Sequence, residues 1–216
     1  MIESSKIFFR AIVTMKTKRI QYTMFNTPIV KHILRALAFI LRTLLGWKKV
    51  GRLPDFPKYL AILAFHTSNW DVFYGILIAF GFNVDIYFMA KNQLFRFPFA
   101  PLVRFLGGIP IDRSVSSNTV QATIDMYNKH EKFAIALAPE GTRKKVEKWK
   151  TGFYHIATGA HIPIILAFLD YKTKSGGIGA ILHPTGDIKT DFKTIRDFYT
   201  QVHARYPELA SLPQEE

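Results

Sequence analysis

The stretch Ala61-Ile62-Leu63-Ala64-Phe65-His66-Thr67-Ser68-Asn69-Trp70-Asp71 runs through apolar residues, breaks at a histidine and reaches a carboxylate five positions later. A short apolar run flanked by polar residues predicts a buried strand rather than a long helix. Ser68, Asn69 and Asp71 are residue types that open helices, with Ser68 and Asn69 the expected caps. The chain should therefore leave a strand at His66, turn tightly and enter a helix near Asp71. That path folds Asp71 back toward His66. A carboxylate that accepts the proton of one imidazole nitrogen fixes the tautomer, and the other nitrogen is left free to take a proton from a substrate hydroxyl. The result is a candidate His–Asp pair with no serine of its own.

Outward from this stretch, apolar runs and helical patterns alternate. Strands are predicted over 60–65, 84–90, 108–111, 133–138, 163–168 and 179–183, and helices over 71–81, 93–106, 116–130, 151–160 and 191–205. Such alternation predicts an α/β fold with a mixed, largely parallel sheet flanked by helices. In that architecture functional groups collect on loops at strand ends. Two further stretches fit there: Gly107-Gly108-Ile109-Pro110-Ile111-Asp112-Arg113 and Ala138-Pro139-Glu140-Gly141-Thr142-Arg143.

With Ile162-Pro163-Ile164-Ile165, these stretches resemble, in order and spacing, the four sequence blocks of the glycerolipid acyltransferases, whose best-known members are the 1-acyl-glycerol-3-phosphate (lysophosphatidic acid) acyltransferases. The resemblance covers roughly residues 60–170. It implies transfer of a fatty acyl group from an acyl thioester to the free hydroxyl of a lysophospholipid, foremost 1-acyl-glycerol-3-phosphate, giving phosphatidic acid. His66 would be the general base and Asp71 its partner. Arg113 and Arg143 are the guanidinium candidates for the acceptor phosphate, since a planar fork binds phosphate oxygens in pairs and stays charged. Glu140 would hold an arginine or a substrate hydroxyl, and Gly141, with Thr142 beside it, would let the loop backbone approach ligand. Lys91 and Lys150 fall where family members carry basic residues. Phe65, Gln93 and Ala138 stand where many members have asparagine, glutamate and phenylalanine. The acceptor accordingly stays open to glycerol-3-phosphate, another lysophospholipid or a lyso-ornithine lipid, and the donor to coenzyme A or acyl carrier protein thioesters. No cofactor beyond that co-substrate is implied.

Composition points the same way. The 216 residues are enough for one ordinary domain with an appendage, and a formal charge of +13 calls for an anionic partner. Hydrophobic residues at 49% and 19 phenylalanines favour an anionic membrane surface over nucleic acid, for which no recognised motif is present. The absence of cysteine excludes disulfides and thiol catalysis. His66, Asp71 and Glu140 are a poor match to a zinc or magnesium site, so no metal is expected.

Residues 1–50 are expected to form a separate membrane anchor of two amphipathic helices, followed by an acyltransferase domain over 51–216. The first helix is basic and short, with Lys6, Arg10, Lys16, Lys18 and Arg19. The second runs from Pro28 to Trp47. Arg35 and Arg42 interrupt it, so it should lie in the interface of a membrane rather than cross it, with its arginines reaching lipid phosphates. Monotopic or peripheral association with a cytoplasmic membrane face follows. Residues 93–106, with Phe95, Phe97, Phe99, Leu102, Val103, Phe105 and Leu106 beside Arg96 and Arg104, are either core or a second membrane-facing patch.

Overall fold

A computed structural model describes residues 21–111 and 116–214. The predicted first helix and Arg113 lie outside the described residues. Helix α1 (Val30–Leu44) leads into strand β1 (Lys48–Val50), followed by β2 (Lys58–Ala64), α2 (Asn69–Phe82), β3 (Tyr87–Lys91), α3 (Ala100–Phe105), β4 (Gly108–Ile111), α4 (Ser116–Lys129), β5 (Phe133–Leu137), α5 (Gly152–Gly159), β6 (Ile164–Asp170), β7 (Ser175–Leu182) and α6 (Ile188–Tyr199). The strands form one seven-stranded sheet in the order β1-β7-β6-β2-β5-β3-β4. It is parallel at every pairing except β6 with β7. This is the mixed, largely parallel α/β sheet that the alternation predicted.

Strand β2 lies at the centre, between β5 and β6, and is apolar along nearly its whole length because both of its faces are covered. Leu60, Ile62 and Ala64 point into the main core with Tyr127 of α4, Phe153 and Ile156 of α5, and Ile195 of α6. Tyr59, Ala61 and Leu63 point to the opposite face, where α2 packs. Tyr199, at the end of α6, is fully buried, and its hydroxyl reaches the carbonyls of Ile62 at 3.0 Å and Ala167 at 2.8 Å. It ties α6 to both central strands.

Local chemistry explains where the structure departs from the predicted elements. The helix over 93–106 is broken. A 3-10 turn covers Asn92–Phe95, and α3 starts only at Ala100 because Pro98 offers no backbone N–H and pushes Phe97 out of helical geometry. Phe97 is 93% and Phe99 63% exposed, so these two rings are not core, whereas Phe105 and Leu106 at the end of the stretch pack against Leu77 and Phe80. Strand β7 begins at Ser175, four residues before the strand predicted over 179–183. Gly177 there lies against Val50, where an added Cβ would sit 2.0 Å from the Val50 carbonyl oxygen. The glycines admit β1, a three-residue strand that apolar patterning does not show.

The largest correction concerns α1. Its arginines face the protein: Arg35 bonds the Asn83 side chain, and Arg42 donates to the Trp47 carbonyl at 2.9 Å. Ala38, Leu34 and Leu41 pack beside them against Leu77 and Phe80 of α2. Ile29, Ile33, Leu37, Ile40 and Leu44 form the outward stripe, all about half exposed or more. No helix among the described residues is long and apolar enough to cross a membrane.

Removing the Tyr199 hydroxyl should leave buried carbonyls short of a donor without creating a cavity. Tyr199→Phe is expected to lower the unfolding free energy by about 1–3 kcal/mol, measured by denaturant titration.

Candidate active site

Strands β2, β3, β4, β5 and β6 run parallel, so their C-terminal ends share one edge of the sheet. His66 follows β2, Glu140 follows β5 and Lys91 ends β3. The turn after His66 is a capping box. Ser68 is the N-cap, its hydroxyl accepting from the Trp70 N–H at 3.2 Å, and Asp71 returns its carboxylate to the N-cap backbone. Asp71 Oδ2 accepts from the N–H groups of Thr67 and Ser68, both at 2.7 Å, and stands 3.3 Å from His66 Nδ1. The carboxylate that starts α2 is thus also the partner of the imidazole, and the ring's other nitrogen is turned away from it.

Two groups that sequence reading did not assign complete the turn. Tyr171, the first residue after β6, donates its hydroxyl to Asp71 Oδ1 at 2.6 Å. Arg205, beyond α6, lies over the rings of Trp70, Tyr171 and Tyr206, each about 5.6 Å from its guanidinium carbon. The signal for Tyr171 was its place at the end of a predicted parallel strand. Nothing in the sequence pointed to Arg205.

Glu140 does not hold an arginine or face the cavity. Its side chain is buried, and both oxygens receive the His66 backbone N–H, at 3.1 and 3.2 Å. Gly141 adopts φ 66°, and an added Cβ would lie 3.2 Å from Lys150 Cε, so the glycine makes room for the lysine stem. The Thr142 hydroxyl accepts from the Lys144 N–H at 3.3 Å. Arg143, Lys148 and Lys150 are exposed and form a basic rim. His66, Asp71, Gly141, Thr142, Arg143 and Lys150 all line one cavity of about 1130 Å³. Its deeper walls are apolar, built from Gly75, Ile76 and Ala79 of α2 against Ala61, Ala136 and Ile165 of the sheet.

The two carboxyls are pushed apart. Burial raises Glu140 to about 8 against the pull of backbone N–H groups, and the Asp71 charge adds to the rise. Burial also works against ionised Asp71, but hydrogen bonds from His66, Tyr171 and the Ser68 backbone outweigh it and hold that carboxyl below its usual range. Among the described residues no three His, Asp or Glu side chains gather as a metal site.

The sequence model of the Acyltransferase family matches residues 53–167, more than half of the chain. The chain belongs to the acyltransferase family. Its fold is similar to that in the crystal structure of the 1-acyl-sn-glycerophosphate (LPA) acyltransferase PlsC from Thermotoga maritima. The TM-score is 0.55, over 91% of this chain and 85% of that one, at 19% identity. No curated protein matches. In this acyltransferase the matched region contains His66, Asp71, Glu140 and the loop to Lys150, whereas Tyr171 and Arg205 lie beyond it.

Because Glu140 takes up its proton more readily in the folded acyltransferase than in the unfolded chain, its contribution to stability is full below pH 4.5 and is lost as pH rises through about 8. Asp71 acts oppositely, losing its contribution only as pH falls below the usual carboxylate range. Glu140→Gln should therefore flatten the decline of the melting temperature between about pH 5 and pH 8, as followed by thermal unfolding in a pH series.

Proposed function

We propose that this acyltransferase moves a fatty acyl group from an acyl-CoA or acyl carrier protein thioester to the free hydroxyl of a lysophospholipid, foremost 1-acyl-glycerol-3-phosphate, yielding phosphatidic acid. The observation that carries the reading is the His66–Asp71 pair at the mouth of a cavity whose depth is apolar and whose rim is basic. His66 Nδ1 donates to Asp71, and Nε2 accepts the acceptor's hydroxyl proton as that oxygen attacks the thioester carbonyl. The carbon–sulfur bond breaks, and the imidazolium returns the proton to the departing thiolate. No acyl-enzyme is formed, so the chemistry requires no serine.

The rim suits the anionic ends of both substrates. Arg143 and Lys150, together with Thr142, line the cavity beside His66, and Lys91 ends β3, while Arg113 comes two residues after Ile111 in the sequence. They are assigned to the acceptor phosphate, with guanidinium forks supplying paired bonds. Gly141 keeps the loop close to ligand, and Glu140 holds the His66 backbone in place.

The outward stripe of α1 supports seating at the surface of an anionic membrane, on its cytoplasmic face. A helix that turns half-buried arginines toward the protein and exposes isoleucine and leucine is amphipathic toward an apolar medium. Lys48 and Lys49, exposed at its end, add attraction to anionic lipid.

The decisive assay incubates purified protein in mixed micelles with labelled acyl thioester and a panel of acceptors: 1-acyl-glycerol-3-phosphate, glycerol-3-phosphate, other lysophospholipids and lyso-ornithine lipid. His66→Ala should lower turnover by about a hundred- to ten-thousand-fold, and Asp71→Asn by less. A folded His66→Ala protein that keeps about a tenth of the activity would reject the base. Arg143→Ala should raise the KM for the lysolipid more than that for the thioester, with lysine restoring only part. For the membrane, flotation with anionic vesicles is expected to capture the protein at both low and high salt. Leu37→Asp with Ile40→Asp should release it, since both side chains are exposed and the exchange leaves the packed face intact.

A further inference from the structure

The Asp71 carboxylate is fully buried and its two oxygens are served unequally. Oδ2 meets three donors, the N–H groups of Thr67 and Ser68 and the His66 ring, whereas Oδ1 meets the Tyr171 hydroxyl, at 2.6 Å the shortest of the four contacts. The Tyr171 ring is itself seated on three sides. Trp47 meets it edge-on at 5.1 Å, Tyr74 edge-on at 5.8 Å, and the Arg205 guanidinium lies 5.6 Å from its centre. Trp47 is buried and stacks on Tyr74 at 4.2 Å, so the ring's seat joins the residues after α1, helix α2 and the segment after α6.

We propose that Tyr171 is a positioning residue for acyl transfer: its hydroxyl fixes the rotation of the Asp71 carboxylate so that Oδ2 stays opposite His66 Nδ1, and Trp47 holds the Tyr171 ring in register. The inference rests on the His66–Asp71 reading above. Without the hydroxyl, the buried Oδ1 has no donor, and the carboxylate gains a reason to turn and exchange its oxygens. The hydroxyl dipole also points its positive end at the carboxylate and so tempers its attraction for a protonated imidazole. The other ionisable groups around the dyad are Glu140 at the His66 backbone, Arg143 and Lys150 on the rim, and Arg205 over the Tyr171 ring. All remain in the variants.

The test measures kcat and KM against pH in mixed micelles. Tyr171→Phe keeps the ring and removes the donor. It is expected to lower kcat about tenfold, to leave the KM for lysolipid within about twofold, and to move the acidic limb of the rate profile upward by about half a pH unit. In an Asp71→Asn background the same change should have little further effect, because the group it positions is already altered. Trp47→Leu, which loosens the seat and spares the hydroxyl, should move the limb the same way by less, and it supplies the reading should Tyr171→Phe not fold. An unmoved limb in both variants, or an equal loss from Tyr171→Phe with and without Asp71, would overturn the proposal. Were His66→Ala still active, the dyad itself would fall and this inference with it. If His66→Ala is inactive and Tyr171→Phe behaves as wild type, only the role of Tyr171 is rejected.

Discussion

Everything at the working edge of this molecule depends on one buried anion. Asp71 has no exposed surface, and an isolated carboxylate there would cost several kcal/mol to keep charged. It stays ionised because four donors converge on it, two of them backbone N–H groups at the opening of α2, where the helix dipole also favours negative charge. One set of bonds thus starts a helix, turns the chain at the end of β2 and orients an imidazole. Structural and chemical roles cannot be separated at this residue.

Glu140, one strand away, has the opposite solution. It is buried with the His66 backbone N–H shared between its oxygens, and it answers by holding a proton. Two carboxyls close to one histidine would repel if both were charged. The conflict is resolved by leaving the charge on the carboxyl that more donors serve, and Glu140 becomes a neutral strut under the loop that carries His66.

What the sequence made legible follows from locality. The His66–Asp71 turn could be read because capping preferences and the strand-to-helix transition act over a few residues. The parallel sheet could be read because central strands covered on both faces are apolar at nearly every position. Strand β1 could not, since its three residues are exposed and depend on Gly177 coming close across the chain. The direction of the α1 arginines was misread for a similar reason: the stripe was visible in the spacing, but its partners, Asn83 and the Trp47 carbonyl, are set by the docking of α1 on α2. Tyr171 and Arg205 belong to the same class. Each is one residue at the end of an element, and its meaning appears only when distant segments meet.

The junction between α1 and the sheet carries a consequence for kinetics. Only Leu45, Gly46 and Trp47 separate the helix from β1, Trp47 is buried, and β1 is hydrogen-bonded to β7. Helix and sheet therefore turn as one body, with no slack between them. If the outward stripe of α1 lies in lipid, the cavity mouth is held at a set angle to the bilayer plane, and the acceptor reaches it by lateral diffusion. The quantity that sets the rate is then the surface density of lysolipid in the leaflet, so diluting it with inert phospholipid slows the enzyme even when the amount per millilitre is unchanged.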